Sequence, residues 1–187
     1  MILMFHKPYG VLSQFTQEEV SHRTLAEFKF PKNVYPVGRL DWDSEGLLLL
    51  SDEKELNNLL LHPHHEHPKT YHAQVEGEAT EEAISKLRKG VVIQGYKTKP
   101  CEARLLSDPH YPVRSVPIRF RLSVPTSWME LTLTEGKNRQ VRRMTATAGF
   151  PTLRLVRAAH GGLKLGDLVS GYWVELDASQ RELLIKR

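Results

Sequence analysis

Four consecutive leucines, Leu47 to Leu50, stand between Gly46 and the turn-forming pair Ser51-Asp52. A helix confined to so short a run is marginal, whereas a buried strand of this length is ordinary, so the run reads as a strand inside a sheet. The residues before it, Gly38-Arg39-Leu40-Asp41-Trp42-Asp43-Ser44-Glu45, then form a loop anchored at its C-terminal end. A carboxylate at Asp41 lies near a strand end and cannot drift as a residue at a loop tip does. That suits a group needed at a fixed position. Asp41 is therefore read as the centre of an active site, with Asp43 supporting the loop. An ordinary turn closed by a salt bridge is the plain alternative for Gly38-Arg39-Leu40-Asp41.

With 187 residues, the chain has room for one domain with a sizeable core or for two small subdomains sharing one. The net charge of +4 fits an RNA partner but is common among proteins without one, so placement carries more weight than the sum. Lys137, Arg139, Arg142 and Arg143 fall close together, with Arg154 and Arg157 soon after. They make one positive stripe if these segments are neighbours in space. No apolar run approaches the roughly 18 residues of a membrane span, and the N-terminus lacks the charged start, apolar stretch and cleavage site of a secretory signal. The expectation is a cytoplasmic protein with no membrane partner.

Cys101 is the single cysteine, which rules out an internal disulfide and reads as a part-buried thiol. His62, His64, His65 and His67 invite a metal reading. The flanking Pro63 and Pro68 favour an exposed polar loop instead, and no metal site is assigned.

Patterning along the chain indicates α+β rather than a doubly wound parallel sheet. Asp52 with Glu55 resembles a capping box, and Leu56, Leu59 and Leu60 share a helical face until Pro63 stops the helix, which is expected to cover the leucine strand. Thr80 caps a second helix, with Ala83, Ile84 and Leu87 as its apolar stripe and Gly90 at its end. Ile118 to Val124 alternates, as do Met129, Leu131 and Leu133 against Glu130, Thr132 and Thr134. This predicts two antiparallel strands with one wet face, joined by a hairpin turn across Pro125-Thr126-Ser127. Asn138 is placed to cap a third helix through Ala148, with Val141, Met144 and Ala148 inward, Arg142 at the margin and Gly149 at the end. Lys29 to Val34 and Ser107 to Ser115 read as loops, the second exposed or mobile.

Several of these segments carry a resemblance. Gly38-Arg39-Leu40-Asp41 followed by Ser44-Glu45-Gly46-Leu47-Leu48-Leu49-Leu50 resembles the catalytic motif of the RsuA-type pseudouridine synthases, which isomerise uridine in bacterial ribosomal RNA. Met4-Phe5-His6-Lys7-Pro8-Tyr9-Gly10-Val11-Leu12-Ser13 is similar to the opening strand and turn of that catalytic domain, with His6 departing from the family's Asn-Lys-Pro pattern. Lys69-Thr70-Tyr71 with Val75-Glu76-Gly77 resembles the tyrosine-bearing motif, Glu135 to Met144 the basic motif, and Leu163 to Leu168 the closing strand and turn. Matches in this order along nearly the whole chain are far more specific than Gly-Arg-Leu-Asp alone.

The resemblance implies a mainly antiparallel sheet in two subdomains, about 1–65 and 66–187, with the catalytic cleft between them and a division near residues 62–68. Most relatives carry an S4 RNA-binding domain ahead of the catalytic domain, for which residues 1–3 leave no room, so target choice is expected to come from the catalytic domain itself. The implied reaction breaks the bond from the sugar anomeric carbon to N1, turns the uracil and bonds the same carbon to C5, without cofactor or energy input. Asp41 is the carboxylate that attacks the sugar or takes a sugar proton. Tyr71, on a strand face with Ala73 and Val75, lies against the uracil, although a core tyrosine is its plain alternative. Arg142 pairs with Asp41 and keeps it ionised. The target nucleotide must be flipped out of the RNA, with Arg39 filling the space it leaves and Lys137, Arg139 and Arg143 on phosphates. The implied partner is ribosomal RNA, of the large subunit, bound by a monomer. A non-catalytic RNA-binding module and a two-carboxylate glycosidase built on Asp41 with Asp43 or Glu45 are the other classes in view.

Overall fold

A computed structural model of the chain describes residues 1–114, 116–118, 121 and 123–185. Among these residues the apolar runs and turn formers resolve into thirteen strands and four α-helices. The first are β1 (Ile2–Lys7), β2 (Val11–Leu12), β3 (Arg23–Thr24), β4 (Tyr35–Val37), β5 (Glu45–Ser51) and α1 (Glu55–Leu61). Next come β6 (Lys69–Glu76), α2 (Glu81–Arg88), β7 (Val92–Ile93), β8 (Tyr96–Lys97), β9 (Glu102–Leu106), β10 (Thr126–Leu133) and α3 (Gln140–Thr147). Last are β11 (Thr152–His160), β12 (Leu163–Lys164), β13 (Trp173–Glu175) and α4 (Ala178–Ile185). The architecture is α+β with mainly antiparallel pairing, and no described helix is long and apolar enough to cross a membrane.

The chain forms two compact units, Met1–His67 with Arg157–Arg187, and Pro68–Val156. A single cut near residues 62–68 would assign everything after it to a second subdomain, but the chain returns its last stretch to the first unit part-way along β11.

In the first unit β5 is the central element. It pairs antiparallel with β1 from Ile2 opposite Ser51 to Lys7 opposite Gly46, and with β4 from Tyr35 opposite Ser51 to Val37 opposite Leu49. β1 in turn takes β13 on its other edge. Leu47, Leu48, Leu49 and Leu50 are all fully buried, and each such side chain contributes about 1.5–3 kcal/mol relative to exposure. Helix α1 forms with Leu56 and Leu60 buried, packs beside β4, and has Lys54 rather than Asp52 at its N-cap. Asp52 is drawn away by the N-terminal ammonium, which donates to it at 2.8 Å. The histidine tract makes one tight turn over Pro63–His65, with the rings of His62 and His64 stacked. His67 is buried rather than exposed, because the chain turns at Glu66 (φ 48) and carries His67 to the entry of β6.

In the second unit β10 lies between β6 and β9. Strand alternation turns Ala73, Val75, Ala103, Met129, Leu131 and Leu133 to one face, where they meet Ile84 and Leu87 of α2 and Val141 and Met144 of α3. The Thr80 hydroxyl accepts from Ala83 N, and α2 ends before Gly90 (φ +79), as its sequence predicts. A Cβ at Gly90 would meet Thr98 O at 2.3 Å, so glycine is required there for space as well as backbone. Cys101 is part-buried, donates to Leu87 O at 3.3 Å, and burial pushes its thiol up to about 11.

Three expectations are not met among the described residues. The turn foreseen at Pro125-Thr126-Ser127 is absent because Thr126 and Ser127 already belong to β10, paired with Glu76 and Val75. The eight residues of β6 offer backbone partners that far, so the ladder continues through the expected turn. In the strand foreseen at Ile118 to Val124, Arg119, Phe120 and Leu122 lie outside the described residues, and Ile118, Arg121, Ser123 and Val124 are in no strand. Asn138 does not cap α3 either. Arg139, in the left-handed region at φ 50, precedes the helix, while Asn138 Oδ1 accepts from Arg143 Nη2 at 2.9 Å. Gln140 Oε1 accepts from Lys137 N at 2.8 Å and takes over the end of the turn. Residues 107–114 are irregular as expected, although Tyr111 ties them down through a 2.8 Å bond from its hydroxyl to His72 Nδ1.

Candidate active site

The loop between β4 and β5 is fixed through its backbone at three successive residues. Ser13 Oγ accepts from Leu40 N at 3.1 Å and donates to Leu40 O at 2.7 Å. Asp41 O accepts from Ser44 N at 3.0 Å, and Trp42 O accepts from Gly10 N at 2.9 Å. Gly38, at φ +74, lets the chain enter this loop, and a Cβ there would come within 3.0 Å of Leu61 Cδ2. Asp41 is thus set at the head of a buried strand by contacts from the segment after β1. The opening motif thus supports the aspartate motif through Gly10 and Ser13.

Beneath the loop lies a cluster of charged groups. Lys7 is fully buried and donates to Pro8 O at 2.9 Å and Val11 O at 2.7 Å. Burial lowers its ammonium to about 7. The negative charges of Glu45, Asp43 and Asp41 act in the opposite sense without overcoming it, and Arg157 adds to the lowering. Glu45 and Arg157 are buried as well, and Arg157 Nε donates to Leu47 O at 2.7 Å within the leucine strand. Lys7 and Arg157 received no role in the chemistry from the sequence, and Glu45 only as a glycosidase acid. The available signals were the place of Lys7 in the opening motif and the place of Glu45 at the start of an otherwise apolar strand. His6, the departure from the family pattern, holds β1 to the closing turn, since its Nδ1 donates to Leu168 O at 2.6 Å.

Tyr71 and Arg142 belong to the second unit. Tyr71 is partly buried on β6 against that unit's core, which gives weight to its plain reading as a core residue. Arg142, on α3, is partly buried and its Nη1 donates to Thr152 O at 3.4 Å. Lys137 and Arg139 are exposed just before α3, with Lys137 Nζ 4.7 Å from the centre of the Tyr96 ring, and Arg143 is half-buried. Arg154 and Arg157 do not extend this basic group as expected, because both are buried. Arg154 lies 5.5 Å from the Tyr111 ring centre and donates to Pro112 O at 3.1 Å. Strand β11 is an interior strand, so its arginines are spent on carbonyls and rings. Arg39 is exposed on the loop of the first unit.

The clamped loop that carries Asp41 thus leads into a buried strand of an α+β fold with mainly antiparallel pairing. Residues 1–147 match the RNA pseudouridylate synthase family, and the chain belongs to it. It is 49% identical to ribosomal large subunit pseudouridine synthase E of Vibrio vulnificus (strain CMCP6) over 94% of this chain and 74% of that protein. It is also 49% identical to the protein of the same name from Xanthomonas campestris pv. campestris, over 95% of this chain and 96% of that one. Among solved structures, a crystal structure of pseudouridylate synthase aligns with a TM-score of 0.80 at 26% identity, covering 98% of this chain and 73% of that one. The chain is therefore an isomerase of uridine in RNA, and neither a two-carboxylate glycosidase nor a non-catalytic binding module.

Proposed function

We propose that this protein converts a specific uridine of large-subunit ribosomal RNA into pseudouridine, with Asp41 as the reacting carboxylate. The observation that supports the role of Asp41 is the backbone clamp at Leu40, Asp41 and Trp42, which fixes the main chain that carries this carboxylate on the loop leading into β5. A group already in place does not pay for its own ordering in the transition state. The substrate assignment is supported by the names of the two relatives at 49% identity.

In this reading a uridine leaves the RNA stack at a cost of a few kcal/mol. Asp41 attacks the anomeric carbon or removes a sugar proton, and the bond to N1 breaks. The uracil turns, C5 bonds to the anomeric carbon, and C5 loses its proton while N1 gains one, so atoms and electrons balance without a co-reactant. Tyr71 limits the movement of the detached ring by stacking. Arg142 supplies the cation that keeps the carboxylate ionised. Arg39 takes the vacated place in the stack, and Lys137, Arg139 and Arg143 bind phosphates. The protein works as a cytoplasmic monomer without metal or cofactor.

Asp41→Asn is the test, because the amide keeps the shape but can act neither as nucleophile nor as base. Pseudouridine formation should vanish while RNA affinity persists, and product at a wild-type rate would end the assignment. Asp43→Asn should be far milder.

A further inference from the structure

The loop that carries Asp41 also bears an exposed tryptophan. Trp42 directly follows Asp41 and is 45% exposed, whereas Trp128 is 8% exposed and Trp173 spends its indole N–H on Phe28 O at 3.1 Å. Trp42 is not loose. Its carbonyl accepts from Gly10 N at 2.9 Å, and its ring centre lies 5.0 Å from that of Tyr9 at a tilt of 55°. Gly10, at φ +78, passes beside the ring, where a Cβ would make ordinary contact with Trp42 Cζ2 at 3.8 Å. With 45% of its surface exposed and one side packed on Tyr9, the ring offers a fixed apolar face to a partner that approaches from solvent.

Resting on the uridine-isomerase reading above, we infer that Trp42, backed by Tyr9, is a stacking platform for a base flanking the target uridine in the RNA. Flipping one nucleotide breaks the stack at two faces, and with the Arg39 guanidinium against one flanking base the other is left to a ring of the protein. An aromatic ring adjoining Asp41 in sequence is within reach of that neighbour, because consecutive Cα atoms are about 3.8 Å apart. The ring is already held, so stacking on it costs little ordering. Stacking accepts any base, so Trp42 positions the RNA and does not read its sequence. Trp42 is a positioning residue for the substrate and carries no proton or bond.

The test uses a short synthetic RNA spanning the uridine that the wild-type protein modifies, with each flanking nucleotide replaced in turn by an abasic one. Trp42→Ala should raise KM roughly 5- to 150-fold, the 1–3 kcal/mol range of one stacked base, with kcat within about threefold of wild type. Trp42→Phe should stay within a few-fold. On one abasic substrate the penalty of Trp42→Ala should disappear, since the base it stacks on is gone. Intrinsic fluorescence should be quenched by RNA in the wild type and not in Trp42→Phe, which tests the contact even if the alanine variant does not fold. The inference is overturned by an unchanged KM, by a loss confined to kcat, by a penalty that persists on every abasic substrate, or by equal quenching in both proteins. Absence of pseudouridine in the wild-type reaction on any ribosomal RNA is a different result and defeats the functional reading itself.

Discussion

Lys7 makes the stability of this protein depend on pH in a direction that can be measured. Its ammonium is buried, with two backbone carbonyls as acceptors, and falls from an ordinary 10.5 to about 7. A neutral amine has two N–H groups, which matches those two acceptors. In the unfolded chain Lys7 stays protonated up to about 10.4. Between about 7 and 10.5 the unfolded state therefore binds more protons, and stability rises with pH across that window. At about 1.36 kcal/mol per pH unit, the whole window is worth about 5 kcal/mol. The segment from about pH 7.5 to 9.5 is worth about 2.5 kcal/mol by the same constant. Lys7→Met removes this titration while keeping the volume, so the useful quantity is the difference between wild type and variant, in which groups that do not interact with Lys7 cancel, and carboxylates like those beside it ordinarily titrate below the window. In urea unfolding followed from about pH 6 to 9.5, the wild type should gain on Lys7→Met by about 1.4 kcal/mol per pH unit above neutrality. Below neutrality the difference should be flat, because Lys7 is charged in both states and burial of the charge costs its full amount. A difference that does not change with pH would show that Lys7 keeps its proton inside the fold, and the account of the charged cluster under the loop would be refuted.

Ser13→Ala loses the hydroxyl that both accepts from and donates to Leu40, so kcat should fall by about tenfold while RNA affinity holds, since roughly 1.4 kcal/mol corresponds to that factor. Equal kcat would mean that the clamp does not position Asp41. Tyr71→Phe should retain most activity and Tyr71→Ala should lose it if stacking is the role, and wild-type rates in both would return Tyr71 to the core of its unit. Arg142→Met should nearly silence single-turnover chemistry with little effect on binding, with Arg142→Lys intermediate because it keeps the charge and loses the planar fork. Arg143→Met should instead weaken RNA binding and reduce the salt slope by about one unit with the saturated rate intact. If the two swap behaviour, the wrong arginine has been assigned to the chemistry.

Local physics was legible in this sequence and long-range pairing was not. The strand at Leu47 to Leu50 and the helix from Thr80 to Gly90 follow from contiguous residues, and both stand where their patterns place them. The turn at Pro125-Thr126-Ser127 failed because its residues are held by β6, some fifty positions earlier in the chain. Asp52 looked like a helix cap until the N-terminal ammonium, distant in sequence, claimed it. At the site, the Leu47 to Leu50 run announces a strand, and the loop before it, which carries the proposed Asp41, is held through its backbone. Lys7 and Arg157 were hidden for the opposite reason. Positive side chains are expected in water, and nothing local reveals that β1 and β11 run through the interior.

The return of the chain to its first unit sets an order of events during synthesis. Residues 68–156 are contiguous and can collapse as soon as they leave the ribosome. The unit that holds Asp41 must wait, because β13 is the edge partner of β1 and Arg157 is the donor to Leu47 O, and both are made after every residue assigned to chemistry. Until then the leucine strand is translated but lacks part of its surroundings, which is when it is most open to misassociation. A stop codon after residue 156 would delete no residue proposed to act on uridine, yet it would leave Asp41 on an unfinished support.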